Sequence, residues 1–264
     1  MSNKYLLFLP YSVTIFRFGK ARLVFTRIVL ENTMLLPVIV MASTLSHITS
    51  LTKYLIGLFL ANILLTALYE IQYVVNDVIV SKREDKPSHR IYSTNISLIV
   101  FSRLLYSVIA ILCLLTLGFT KNNIALALLG LFLAFSFHNI EPIKLRRSMT
   151  FPLVRLARYS FIPLIVIGKE KLLCDVIIAY IPLLILESIS GFKYNVEKYG
   201  YALPEIRYPW FYLFGIFLPL QLLLVSDWRI LGGNFLLTLL SLLKNLLFRV
   251  FPLEKSLKYR NPLG

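Results

Sequence analysis

Apolar residues run in long blocks along this chain, and most of the polar stretches between them are short. A hydrocarbon core of about 30 Å takes roughly 20 apolar residues per helix. Blocks near that length fall at 27–46, 53–75, 97–118, 123–137, 151–168, 172–189, 209–226 and 230–251. The fourth is short, and Arg155 and Arg158 interrupt the fifth. Helices are required, because in hydrocarbon every backbone N–H and C=O must be satisfied within its own segment. A barrel would instead show about ten alternating residues per strand, and the sequence carries no such alternation. The pattern predicts an all-α, polytopic transmembrane helical bundle of eight spans. It forms one domain, with an interfacial amphipathic segment at 1–26, the bundle at 27–251 and a tail at 252–264.

Composition agrees with this reading. The 264 residues are 58% hydrophobic with a mean hydropathy of +0.75, against roughly 45–50% apolar in a soluble domain. The start of the chain is apolar like a signal peptide, but Arg17, Lys20 and Arg22 follow at once without a small-residue cleavage site. Cys113 and Cys174 have no paired spacing of the zinc type, and His47, His89 and His138 have no ligand spacing.

Charge adds an orientation. The net charge is +15, from 28 Lys and Arg against 13 Asp and Glu. In a soluble chain this excess would point to nucleic acid. Here basic loops and anionic lipid headgroups account for it, so the expected partner is the membrane lipid bilayer and no nucleic acid. Alternating the loops puts all Lys and Arg except Lys53, Lys121, Lys169, Lys171 and Arg229 on one side. By the positive-inside rule that side, with both termini, is cytoplasmic. Glu70, Asp77, Glu84, Asp85, Glu141, Glu187, Glu197 and Glu205 fall on the same side. The rule does not ask for this acidic bias, which therefore predicts a mixed-charge mouth with a function.

The densest chemistry follows the second block. Asn76 and Asp77 precede Glu84 by about two helical turns, so Asp77 and Glu84 share a face if the helix continues through Arg83. Carboxylates and an amide on one face suit Mg²⁺, which takes one or two carboxylates and leaves other positions to water and phosphate oxygens. Lys82, Arg83, Lys86 and Arg90 would meet the remaining phosphate charge. The alternative at this point is a solvated cytoplasmic loop of mixed charge.

These residues resemble the UbiA superfamily of intramembrane prenyltransferases, in which the second helix ends in an Asn-Asp-x-x-Asp-x-x-x-Asp motif followed by basic residues and proline. Asn76 and Asp77 match its first two positions, Val80 replaces the middle Asp, and Glu84 stands for the last. After the fourth block, Pro142, Lys144, Leu145, Arg146 and Arg147 resemble the family's Pro-Pro-x-Arg-Leu-Lys-Arg run. Asn32 and Pro37 in the first block also look like the family's first helix. The second Asp-rich motif is absent from 187–199, where Glu187 and Glu197 are the carboxylates and Lys193 and Lys198 stand beside them. The family usually has nine spans against the eight counted here, so either the 1–26 segment or a re-entrant piece makes up the difference or this member is shorter.

The resemblance implies a UbiA-like bundle in which Mg²⁺ and basic side chains hold the diphosphate of an isoprenoid diphosphate at a cytoplasm-facing mouth. Asn76, Asp77 and Glu84 would be catalytic, and Asp77, Glu84 and Glu187 would ligate the metal. Lys82, Arg83, Lys86, Arg90, Lys144, Arg146, Arg147, Lys193 and Lys198 would bind diphosphate. The implied reaction moves the prenyl group to an acceptor. Two alternatives stand beside it: phosphoribosyl transfer to a polyprenyl phosphate, and a non-catalytic membrane protein, either a pseudo-enzyme scaffold or a small transporter. Against a transporter, the sequence offers no evident buried mid-helix carboxylate.

Overall fold

The computed structural model describes residues 51–83, 96–140 and 144–167, together with residues 9, 11–13 and the single positions 174, 178, 192, 196 and 223. Every element of more than two residues in this set is helical. Helix α1 spans Leu51–Val78 and leads into a 3₁₀ turn at Val80–Arg83. Helix α2 spans Ile96–Thr116, α3 spans Lys121–Ile140 and α4 spans Lys144–Ile167. Three of them, over Thr52–Val78, Ile96–Thr116 and Lys121–Ile140, are long and apolar enough to cross a membrane. The blocks predicted at 27–46, 172–189, 209–226 and 230–251 lie outside the described residues apart from isolated positions.

Burial on α2 shows the solvent for which the bundle is built. Its inward residues are Ile99, Ser102, Arg103, Ser107, Ala110 and Leu114, which recur at intervals of three and four and form one stripe. Its outward residues include Phe101, Leu104, Leu105, Val108, Ile109, Leu112 and Leu115. A helix that hides its arginine and serines while presenting leucines outward is inside-out for water. In lipid this arrangement is the favourable one, since apolar groups lose nothing there and polar groups need partners.

Helix α1 is the centre of the described bundle, packing on α2 along one side and on α4 along another, while α3 packs on α4. One apolar cluster joins them through Ala61, Leu64 and Leu65 of α1, Leu114 of α2, Ala127 and Leu131 of α3, and Ala157, Ile162 and Ile165 of α4. Small residues permit the closest approaches. A Cβ on Gly130 would stand 2.2 Å from Phe161 Cζ, so the α4 ring lies directly on the α3 backbone.

The α2–α3 connection is built by its sequence. Gly118 adopts φ +79°, a left-handed conformation that glycine reaches without a Cβ penalty. Phe119 N donates to Leu114 O at 3.0 Å and Gly118 N to Leu115 O at 2.9 Å, the pattern that satisfies the last carbonyls of a helix. The ring of Phe119 then folds back on the main apolar cluster.

Two sequence expectations change here. The α-helix of the second block ends at Val78 and tightens into a 3₁₀ turn, so helical periodicity no longer carries Glu84 onto the face of Asp77. Glu84 itself lies outside the described residues. The predicted 139–150 loop is also largely helical. Helix α3 continues to Ile140 and α4 begins at Lys144, which puts the backbone of Lys144, Arg146 and Arg147 in its first turn.

Candidate functional site

Helix α1 carries a polar face through an otherwise apolar span. At about 100° per residue, Glu70 and Asp77 lie about 20° apart on the helical wheel, and Thr66 and Asn62 continue the face downward. Four polar residues on one stripe are expensive in hydrocarbon unless each finds a partner. The structure supplies partners from α2 and from the segment at residues 11–13.

At the centre of the stripe, Arg103 Nε donates to Glu70 Oε2 at 2.6 Å, and both residues are 0% exposed. The rest of the guanidinium fork is also engaged. Nη1 donates to Ser102 Oγ at 2.9 Å, and Nη2 donates to Ser12 Oγ. Ser102 Oγ donates to Ile99 O at 2.8 Å, and Ser107 Oγ donates to Arg103 O at 2.8 Å. Opposite charges lie within hydrogen-bond distance and each terminal nitrogen donates to a neutral hydroxyl, and such pairing makes a buried arginine tolerable in lipid.

Depth follows from helix geometry. Glu70 precedes the end of α1 by eight residues and Arg103 follows the start of α2 by seven. At 1.5 Å per residue both lie roughly 10–12 Å inward from the same end of the bundle. Asp77 sits at that end, 2% exposed, with Asn76 Nδ2 donating to its Oδ1 at 3.4 Å. The polar face thus runs inward from Asp77 to Glu70 and Arg103. It then reaches Asn62, whose Oδ1 accepts from Thr66 Oγ1 at 3.2 Å and from Tyr11 OH at 3.3 Å.

An aromatic edge flanks the stripe. The rings of Tyr69 and Tyr73 meet edge-to-face at 5.0 Å, and Tyr69 meets Phe135 of α3 at 5.1 Å. Tyr69 and Phe135 are buried, whereas Phe137 is 60% exposed and stands apart from this edge.

Of the residues singled out by sequence, Asn76 and Asp77 come together at the end of α1, and Lys82 and Arg83 are exposed on the following 3₁₀ turn. Lys144, Arg146 and Arg147 are placed by backbone alone. Glu84, Lys86, Arg90, Glu187, Lys193 and Lys198 lie outside the described residues. Among the described residues no three His, Cys, Asp or Glu side chains gather as a metal site. His138 Nδ1 lies 3.0 Å from Thr150 Oγ1 and so links the end of α3 to the first turns of α4.

Sequence reasoning missed Arg103 and misjudged Glu70, which it assigned to the charged mouth and which is instead buried within α1. A usable signal was present, since Arg103 is the one charged residue in the 97–118 block and Glu70 the one acidic residue in the 53–75 block. Lone ionisable groups inside spans pair with each other. The sequence offered no evident buried carboxylate within a span, whereas Glu70, eight residues from the end of α1, is buried. The interfacial reading of 1–26 likewise gave Ser12 and Val13 no place in the bundle, yet each is 2% exposed there.

No protein-family model, no curated protein and no solved structure matches this chain.

Proposed function

We propose that this chain is an intramembrane transferase of the UbiA type, moving a prenyl group from an isoprenoid diphosphate to an acceptor. The observation that carries the reading is Asp77. It is a buried carboxylate at the end of a span-length helix, next to Asn76 and on the same face as Glu70. The oxygen donors of Asp77 and Asn76 suit Mg²⁺, which accepts one or two protein carboxylates and completes its shell with water and phosphate. When bound, the cation would supply charge for the leaving diphosphate. Lys82 and Arg83, exposed immediately beyond, would meet the same group. The rings of Tyr69, Tyr73 and Phe135 gather beside the adjoining flank of α1, and a ring face turned to the site would stabilise a developing cation.

The test is incubation of the purified chain with Mg²⁺ and a labelled prenyl diphosphate, read by mass spectrometry of the lipid fraction. A prenylated acceptor is expected, and a sugar phosphate transferred to lipid would move the reading to phosphoribosyl transfer. Asp77→Ala should abolish Mg²⁺-dependent binding of the prenyl diphosphate, and unchanged binding would sink the metal site.

The Glu70–Arg103 pair favours a second reading, a non-catalytic membrane protein of the carrier type, because carriers bury paired ionisable groups inside their spans. Proteoliposomes separate the two. A carrier moves solute along an imposed gradient without releasing diphosphate, and a transferase releases diphosphate without a gradient.

A further inference from the structure

We propose that the segment at residues 11–13, a turn residue followed by the helical Ser12 and Val13, is a strap that docks along the seam between α1 and α2, closing the polar stripe, and that the Glu70–Arg103 pair is its anchor. Three successive side chains address three successive depths of that seam. Tyr11 OH donates to Asn62 Oδ1 at 3.3 Å, with Thr66 Oγ1 3.5 Å from the same phenol oxygen. Ser12 Oγ accepts from Arg103 Nη2. Val13, 2% exposed, packs with Val74 of α1 and Ile99 of α2. The strap therefore climbs toward the end of the bundle where Asp77 lies.

The chemistry explains why a neutral hydroxyl is the group seated there. Glu70 already cancels the charge of Arg103, so a second anion at the guanidinium would leave the site net negative inside lipid, whereas a serine oxygen satisfies the donor without adding charge. Glu70 also fixes the fork by holding Nε, and Ser102 holds Nη1, which leaves Nη2 directed at the strap. Arg103 is thus a positioning residue for the strap.

The backbone marks the docked state as one held by its tertiary contacts. Tyr11 adopts φ +69°, a left-handed conformation unfavourable for a bulky residue with a Cβ. Leu9, two positions earlier, is 53% exposed and gives the segment little apolar anchorage. A segment that carries one strained residue at Tyr11 and is seated by two hydroxyls and one valine is poised to dock and release, and its release would open the seam that leads to Asp77. This reading does not depend on prenyl transfer and holds equally for a carrier.

The test uses the full chain in proteoliposomes with Cys113→Ala and Cys174→Ala, so that a cysteine introduced by Val13→Cys is the single target for a membrane-permeant maleimide. A matched chain carries Ala127→Cys in the core instead, where the native residue is 0% exposed. Ser12→Ala and Tyr11→Phe each remove one docking oxygen, and Arg103→Lys keeps a charge for Glu70 while losing the fork. Each is expected to speed labelling at position 13 roughly tenfold, as loss of one hydrogen bond to a charged or strained partner shifts a local opening equilibrium. Labelling at position 127 should not change. Unchanged rates at position 13 in Ser12→Ala and Tyr11→Phe would overturn the strap. Equal acceleration at both positions would also overturn it, because the effect would then be a loosening of the whole bundle.

Discussion

Arg103 on α2 and Glu70 on α1 form an ion pair at 2.6 Å with neither residue exposed, roughly a third of the way into a span-length helix. Pairs of this kind are asymmetric in their energetics. Removing one partner strands a charge in a low-dielectric interior at a cost of about 3–5 kcal/mol, whereas replacing both by apolar groups of similar volume is close to neutral. Glu70→Met and Arg103→Met should therefore each lower the thermal midpoint of the detergent-solubilised chain sharply. The double variant should recover most of the loss. A thermodynamic cycle on the four proteins measures this directly, and additive losses would show that the pair does not couple α1 to α2.

The α3–α4 contact makes a second prediction. Gly130 lets the Phe161 ring rest on the α3 backbone, and a Cβ there would meet Cζ at 2.2 Å and two further ring carbons at 3.0 Å. The ring tip must swing away, so Gly130→Ala is expected to destabilise by about 1–3 kcal/mol, the usual cost of overpacking a fitted core. Combining it with Phe161→Leu should restore part of the loss, and thermal unfolding of the single and double variants measures it. A Cβ on Gly57 would meet Phe119 Cζ at the same 2.2 Å, so Gly57→Ala should act in the same direction where α1 meets the α2–α3 turn.

The positions of the spans were legible in the sequence because hydropathy averages over many residues. The blocks at 53–75, 97–118 and 123–137 became α1, α2 and α3, each within about three residues of its observed ends. The C-terminal ends of α1 and α3 moved outward because backbone hydrogen bonding continues past the last apolar residue, through Asn76 and Asp77 in α1 and through His138 and Asn139 in α3. The start of α4 was hidden for the same reason. Residues 144–150 are basic and polar, so hydropathy marks a loop, although Pro142 just upstream is a common signal before a helix starts. Asn76 and Asp77 were legible as a local motif. The Glu70–Arg103 pair was not, since its members lie 33 residues apart and only the packing of α1 on α2 brings them together.

The aromatic edge beside the polar stripe gives a third prediction, distinct from that of Asp77. Tyr69 touches both Tyr73 and Phe135 edge-to-face, and edge-to-face pairs contribute about 0.5–1.5 kcal/mol beyond area burial. Phe135→Leu should cost stability by an amount of that order while leaving Mg²⁺-dependent binding of a prenyl diphosphate intact. If the edge stabilises a developing cation, turnover falls more than binding does. A kcat loss without a matching change in KM is the expected signature, and parallel losses in both would confine the edge to packing.

Lys82 and Arg83 supply the last prediction, because their exposure separates affinity from stability. Both are exposed on the 3₁₀ turn just beyond Asp77, where substitutions should leave the thermal midpoint unchanged. If they draw a diphosphate toward the mouth, their attraction acts through water and is screened over a Debye length of about 10 Å at 0.1 M salt. The Lys82→Ala, Arg83→Ala double variant should therefore bind a prenyl diphosphate several-fold more weakly at low salt, and the difference from the parent chain should shrink as salt rises. Titrations at two ionic strengths check this. A deficit that persists unchanged in high salt would mean that these side chains act by direct contact, and an absence of any deficit would remove them from the phosphate site.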